Sequence, residues 1–290
     1  MKDNPALYIK PLLATIFWGL SFIATKTALN ELTPVMIIIL RLLLGISFLV
    51  ILAVYTKRDF SIKLKQHAFI LLLAAIAVFH LWIQVTGLQY TSAANTGWII
   101  GTAPIFIAIM GMIFFKEKIS LKQLLGIIMA FAGLFLLISK GDFTSVGFIS
   151  NKGDFLVLAS AFTWGVYSMV NKKISLTYPP LMTILYLFIM MAVLILPVTL
   201  NHDTFVRIEH LSAIGWISII FLGIFCSGIS YVLWAQSLKD MDSSKVGAFL
   251  YFEPFVTVFS AWIFLHETIT LLMLISGLII IAGVVIVNRN

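Results

Sequence analysis

Ten apolar runs, each of about twenty residues, follow one another along this chain with only short connections between them. They cover residues 7–29, 34–55, 66–87, 93–115, 121–139, 153–173, 180–200, 212–236, 245–265 and 270–288. Inside hydrocarbon every backbone N–H and C=O must find its partner within the chain, so only helices or a closed barrel can cross. Barrel strands alternate apolar and polar positions over roughly ten residues. These runs are continuous and far longer, so helices are predicted throughout. A composition of 61% hydrophobic and 11% charged residues agrees, since soluble chains carry about 25% charged residues. The first run, from Leu7 to Leu29, is too long for a signal-peptide core and lacks a small-residue cleavage site, so it reads as a retained span.

The net charge is +7, but Lys and Arg sit in the short connections rather than on one face, which gives no nucleic-acid surface. With the N-terminus inside, the inner side holds Lys2, Lys10, Lys57, Arg58, Lys63, Lys65, Lys116, Lys118, Lys122, Lys172, Lys173, Lys239, Lys245 and Arg289. The outer side holds Lys26, Lys140, Lys152 and Arg207. That bias places both termini in the cytoplasm. A single cysteine, Cys226, excludes an internal disulfide and reads as a buried, inert thiol. His67, His80, His202, His210 and His266 are scattered without metal spacing, and no Gly-rich phosphate loop, HExxH or activated-serine motif is present. No cofactor, metal or enzyme chemistry is expected; transport would be driven by a gradient or by exchange.

The chain repeats itself. Trp18-Gly19, Lys26, Pro34 and Met36 recur as Trp164-Gly165, Lys172, Pro180 and Met182, each 146 residues later. Leu88, Gly97, Pro104, Glu117, Ile119 and Gly133 recur as Leu238, Gly247, Pro254, Glu267, Ile269 and Gly283, each 150 residues later. The first copy covers 1–139, the second 153–290, and 140–152 connect them. Five runs per copy is an odd number, so the second copy must enter the membrane upside down. The predicted fold is therefore all-α and integral to the membrane, with ten transmembrane helices in two inverted five-helix repeats around a central cavity. Such halves enclose a site near the midplane and can open it to either side.

These residues also carry a resemblance. Each half has a Trp-Gly in its first helix and a Pro before or in its second. The first half then reads GLQYTSAANTGWIIGTAPIF and FFKEKIS, the second LKDMDSSKVGAFLYFEPFVTVFSAWIFLHETIT. Over residues 10 to 288 the chain resembles the EamA-type members of the drug/metabolite transporter superfamily. The resemblance implies that the first four helices of each half surround a central cavity, with Leu121–Ser139 and Thr270–Asn288 peripheral. It also implies export or exchange of small metabolites, without naming the substrate.

Helical spacing puts Ala14, Trp18, Ser21 and Thr25 on one side of the first span and Ser160, Trp164, Tyr167 and Asn171 on one side of the sixth. His80, Gln84 and Gly87 share a face of the third, Asn95, Trp98 and Thr102 of the fourth, and Ser230, Trp234 and Ser237 of the eighth. Together they would line a cavity with aromatic walls and neutral hydrogen-bonding groups, suited to a small amphipathic or zwitterionic solute. The same polar side chains also serve to bond helix to helix, and the same tryptophans to pack. Trp18 and Trp164 lie about eleven residues into their spans, roughly 16 Å deep, beyond the reach of an interfacial belt.

Three ionisable groups lie inside spans. Arg41, roughly 10 Å from the outer end of its span, would bind an anionic group of the substrate or clamp helix carbonyls. His80, at a similar depth, would relay protons or simply pack. Glu253, about 12 Å from the inner end of its span and beside the helix-breaking Pro254, is expected nearer the other side than Arg41, which leaves an Arg41–Glu253 pair possible but not the default. It is the candidate for proton coupling, the alternative being a protonated carboxyl in an interhelical hydrogen bond. Glu117 and Glu267 close the fourth and ninth spans in EKIS and ETIT, where Ser120 and Thr270 are expected to cap the next helix with the acid near its N-terminus. Gly126, Gly133, Gly277 and Gly283 permit close helix contact, which includes pairing of these outer helices in a homodimer.

The reading predicts a secondary transporter of the cytoplasmic membrane that exports or exchanges a small metabolite, amino-acid-like or amphipathic, by alternating access. Its partners are the lipid bilayer and a small-molecule substrate. A nucleotide-sugar or sugar-phosphate exchanger would call for several cavity cations, and only Arg41 is evident. A membrane-embedded enzyme or lipid-handling protein is the alternative from another class.

Overall fold

The computed structural model describes residues 6–61, 64–139, 151–200, 202–265 and 271–288, and every regular element among them is helical. In order these are α1 (Ala6–Ala28), α2 (Pro34–Tyr55), α3 (Leu64–Tyr90), α4 (Ala93–Ile100), α5 (Ala103–Phe115), α6 (Leu121–Ser139) and α7 (Lys152–Ser175). There follow α8 (Pro180–Thr199), α9 (His202–Glu209), α10 (Ala213–Phe221), α11 (Ser230–Asp240), α12 (Ser243–Gly247), α13 (Phe252–Leu265) and α14 (Leu271–Asn288). Seven stretches of the described residues are long and apolar enough to cross a membrane: Leu7–Ala28, Pro34–Tyr55, Ala68–Tyr90, Asn95–Phe115, Lys152–Ser175, Pro180–Thr199 and Ala213–Asp240. Leu121–Leu136 and Leu274–Asn288 are shorter apolar helices. The chain is a multi-pass membrane protein.

Local chemistry sets the helix ends. Thr33 caps α2 by accepting from the Met36 N–H at 3.4 Å, with Pro34 opening the first turn, where its missing donor costs nothing. Ser92 caps α4, Asn151 caps α7 and Ser212 caps α10 in the same way. Ser120 and Gln123 form a reciprocal cap on α6, at 2.9 and 3.2 Å. Glu117, expected beside that N-terminus, instead reaches across the bundle to Lys172. Glu267 and Thr270 lie outside the described residues.

Three crossings are broken. Residues Leu222–Ile229 form a π-helical segment joining α10 to α11, where Ser227 and Ser230 donate to the carbonyls of Leu222 and Phe225 at 2.8 and 2.7 Å. Ala248–Tyr251 form a 3₁₀ turn between α12 and α13, ahead of Pro254, which has no N–H to continue the ladder. Pro104 stands likewise just after the break between α4 and α5. The connection between residues 200 and 212 contains a short helix, α9, which periodicity over so few residues does not announce.

Helix directions follow from contacts at the two ends. Tyr8 donates to the Asn288 carbonyl and Lys10 pairs with Asp240 at 3.1 Å, so the start of α1 lies beside the ends of α14 and α11. At the opposite end Lys26 of α1 reaches the α3–α4 turn, and Asp154 at the start of α7 reaches the same turn. Hence α7 runs against α1. Close contacts recur at matching places in the two halves. A Cβ on Gly19 would meet Val256 at 2.8 Å, and one on Gly165 would meet Phe106, its counterpart 150 residues earlier, at 3.1 Å. Gly133 against Ile280 and Gly283 against Ala130 are a second matched pair, which seats α6 on α14. These glycines are thus engaged within the chain, and Gly277 packs on Phe255.

Candidate functional site

The middle of the bundle holds an aromatic cluster built from both halves. The Trp18 ring stands edge-on to Trp164 at 4.9 Å, to Tyr231 at 5.7 Å and to Trp234 at 5.3 Å. Trp164 stacks on Tyr167 at 4.8 Å, and Tyr231 meets Phe188 at 5.2 Å. Trp18 Nε1 donates to the Cys226 carbonyl at 2.9 Å and Trp234 Nε1 to Ser168 Oγ at 3.2 Å. Trp164 Nε1 is buried with no hydrogen-bond partner among the described residues. A buried indole N–H left unpaired costs free energy, on the order of 1–3 kcal/mol, that a ligand acceptor would recover.

This cluster borders a cavity of about 40 Å³. Trp18, Ser21 and Phe22 line it from α1, at the one-turn spacing that puts them on one face. Arg41 enters from α2, His80, Leu81 and Gln84 from α3, Trp164 from α7, Tyr231 from α11 and Glu253 from α13. Such a volume accepts a few waters and no metabolite.

The polar groups are held in specific ways. Arg41 is 4% exposed, and its Nε donates to Ser227 Oγ at 2.8 Å, a hydroxyl carried by the π-helical segment. No carboxylate lies within 4.0 Å of its guanidinium among the described residues. His80 Nδ1 sits 3.0 Å from the Ser160 carbonyl, which can only accept, so Nδ1 carries the proton and Nε2 is left without a partner among the described residues. Glu253 is 3% exposed, and its carboxyl makes no hydrogen bond within the described residues.

Glu253 stands deeper than its count from the span end implied. Its carbonyl oxygen would lie 2.9 Å from a Cβ on Gly19, level with the middle of α1. The 3₁₀ turn before it rises about 2.0 Å per residue against about 1.5 Å in an α-helix, which carries the acid further in. It therefore shares the cavity with Arg41 instead of facing the other side.

The remaining candidates lie elsewhere. Asn95 Nδ2 donates to Asp154 Oδ1 at 2.6 Å and to Thr91 Oγ1 at 3.1 Å, near one end of the bundle. Trp98 packs with Phe249, Tyr251 and Ile280, toward α14. Tyr167 and Trp234 stand behind Trp164 and Trp18, fully buried. Spacing missed Phe22, Leu81, Ile100 and Tyr231 among the cavity residues; Tyr231 shares a face with Trp234 one turn away, and no repeat or motif distinguished it. No group of three or more metal-ligating His, Cys, Asp or Glu side chains occurs among the described residues.

The model of the EamA-like transporter family matches this chain twice, over residues 6–139 and 151–289. The chain belongs to the EamA-like transporter family. An uncharacterized transporter of Archaeoglobus fulgidus is 30% identical, over 97% of this chain and 96% of that relative. The uncharacterized transporter YyaM of Bacillus subtilis is 27% identical, over 96% and 94%. A WAT1-related chloroplastic protein of Arabidopsis thaliana is 25% identical over 94% of this chain and 67% of its own length. A protein crystal structure with a TM-score of 0.80 covers 98% of this chain and 96% of the other at 16% identity, a likeness of fold. This EamA-like chain is a membrane transporter.

Proposed function

We propose that this chain is a secondary transporter that exports or exchanges a small zwitterionic or amphipathic metabolite across the cytoplasmic membrane by alternating access. Ten transmembrane helices form two inverted five-helix repeats, 1–139 and 153–290, joined by 140–152, with both termini in the cytoplasm. The opposite directions of α1 and α7 support the inversion, as do the matched contacts of Gly19 with Val256 and Gly165 with Phe106. The distribution of Lys and Arg supports the orientation.

One observation carries the substrate reading. Arg41 and Glu253 line a single aromatic-walled cavity, buried and unpaired with one another. Buried charges in a membrane bundle are retained at sites of function, because each costs several kcal/mol without a partner. In this reading the substrate carboxylate pairs with Arg41, its apolar body lies against Trp18, Trp164 and Tyr231, and Glu253 carries the coupled proton. Gln84, His80 and the free Trp164 N–H supply the neutral hydrogen bonds. Arg41 as the single cation lining the cavity among the described residues disfavours sugar phosphates and nucleotide sugars, which carry several negative charges.

The test is transport by the purified protein in proteoliposomes, over amino acids, organic cations and sugar phosphates, with and without a pH gradient. Accumulation of a zwitterion that depends on the gradient is the expected result. Lipid translocation with no movement of soluble solutes would overturn the proposal.

A further inference from the structure

Outside the cavity, each end of the bundle has a lysine holding the turn that leads into a broken crossing. At the end bearing the termini, Lys172 of α7 donates to Glu117 Oε1 at 2.6 Å and to the Met241 carbonyl at 3.0 Å. Glu117 in turn accepts from the Ser243 N–H with both oxygens, at 3.0 and 2.9 Å, and from Ser243 Oγ at 2.9 Å. The ion pair is largely shielded, with side-chain exposures of 9% and 8%. At the opposite end, Lys26 of α1 donates to the carbonyls of Leu88 and Thr91 at 2.7 and 2.8 Å. Lys172 follows Lys26 by 146 residues and Met241 follows Thr91 by 150, so the same lysine grips the same carbonyl in both halves.

The geometry points to two latches: Lys172 with Glu117 closes the approach to the cavity from the end bearing the termini, and Lys26 closes it from the other. This rests on the transport reading above and adds the residues that govern access. Position decides it. Trp164, Ser168 and Lys172 succeed one another by single turns on α7, so the cavity wall, the seam between α7 and α11, and the ion pair lie in series. Met241 and Ser243 stand at the entry to α12 and so to α13, which carries Glu253; Thr91 directly follows α3, which carries His80 and Gln84. Releasing a turn therefore frees an element that lines the cavity.

Energetics suit a reversible device. A shielded ion pair gains Coulomb energy and loses hydration in similar measure, so separating it into water costs little, whereas removing one partner strands the other. A latch of apolar contacts would have no comparable open state in water. Each lysine is also tied to carbonyls at a turn, which water can replace when the end opens.

Access can be measured without a substrate. In a Cys226→Ala background, Ser168→Cys reports the route from the termini end and Gln84→Cys the cavity from the other. Each is reacted in sealed vesicles with a membrane-impermeant thiol reagent added to one face at a time. Glu117→Gln keeps the shape and the acceptor for Ser243 but loses the ion pair, and should raise Ser168→Cys labelling from the termini face by about tenfold. Gln84→Cys labelling from the opposite face should fall in the same variant. Lys26→Met should do the reverse. Lys172→Met should match Glu117→Gln, and if it fails to insert, the other two variants still decide the matter. Faster labelling at both faces would mean general loosening, and unchanged labelling a static clamp; either overturns the latch. Transport assays can fail independently of this result, and it can fail while transport stands.

Discussion

Arg41 on α2 and Glu253 on α13 face one cavity with no approach of 4.0 Å or less between their charged atoms. Each is nearly fully buried, at 4% and 3% exposure. Their separation leaves both ends of a zwitterion, or a carboxylate and a proton, with a partner to find.

Arg41→Ala should raise KM for carboxylate substrates by about tenfold to a hundredfold, the worth of a charge-assisted hydrogen bond, while substrates without a carboxylate lose less. Ser227→Ala removes the acceptor that orients the guanidinium at 2.8 Å and should give a smaller rise, about threefold to tenfold, with kcat little changed. Equal losses for carboxylate and neutral substrates in Arg41→Ala would reduce Arg41 to a structural clamp.

The contact of α6 with α14 is a matter of backbone approach. A Cβ on Gly283 would lie 2.6 Å from the Ala130 nitrogen and 2.7 Å from the Gly126 carbonyl oxygen, atoms that cannot swing aside. Gly283→Leu should therefore part the two helices and destabilise the fold by about 1–3 kcal/mol, read as an earlier thermal transition in detergent. An unchanged transition would show that these outer helices contribute little to the bundle.

Seven of the ten predicted spans were legible from hydropathy, and Pro34–Tyr55 runs as predicted from the proline that opens it to the polar residues that end it, whereas 245–265, read as one span, is divided into α12, a 3₁₀ turn and α13. The π-helical segment at Leu222–Ile229 and the 3₁₀ turn at Ala248–Tyr251 were not legible, since residues of the same polarity form either helix type. Face assignment and depth both rest on an unbroken helix. That is why Glu253 was expected nearer the other side, with a pair to Arg41 possible but not the default, and why Trp98 was grouped with a cavity whose lining does not include it. Lys26 and Lys172 were visible as a repeated pair, but their carbonyl partners lie on other helices and leave no spacing to read.

Glu117 predicts an acid limb of stability. Burial works to raise its carboxyl, but hydrogen bonds from Lys172 and Ser243 and the Lys172 charge outweigh this and hold it below the usual 4.5. A lowered folded value gives stability that is present above the unfolded pKa and lost as pH falls through the folded one. Glu117→Gln should lower the thermal transition by on the order of 5 °C at neutral pH, and this gap should close in acid as pH falls through the lowered folded pKa of Glu117. Glu31, held down by the backbone and side chain of Ser212, and Asp59, held down by Ser61, contribute equally in both proteins and drop out of the difference. A gap constant from pH 7 to acid would assign the loss to shape and not to the ion pair.

The last expectation concerns Glu253. Its neighbour Pro254 has no N–H to continue the helix ladder, and Glu253 lines a cavity of about 40 Å³ that accepts water. An ionised carboxylate there has no partner among the described residues and a high cost, which binding a proton removes. Glu253→Gln mimics the protonated form in size and hydrogen bonding, so it should fold and insert normally. With the proton carrier gone, accumulation driven by a pH gradient should be lost, while exchange of substrate at equal pH on both sides should continue near the normal rate. Loss of exchange as well would make Glu253 a substrate ligand. Gradient-driven accumulation equal to that of the unmodified protein would remove Glu253 from coupling and leave His80, whose Nε2 is free within the described residues, as the group to test.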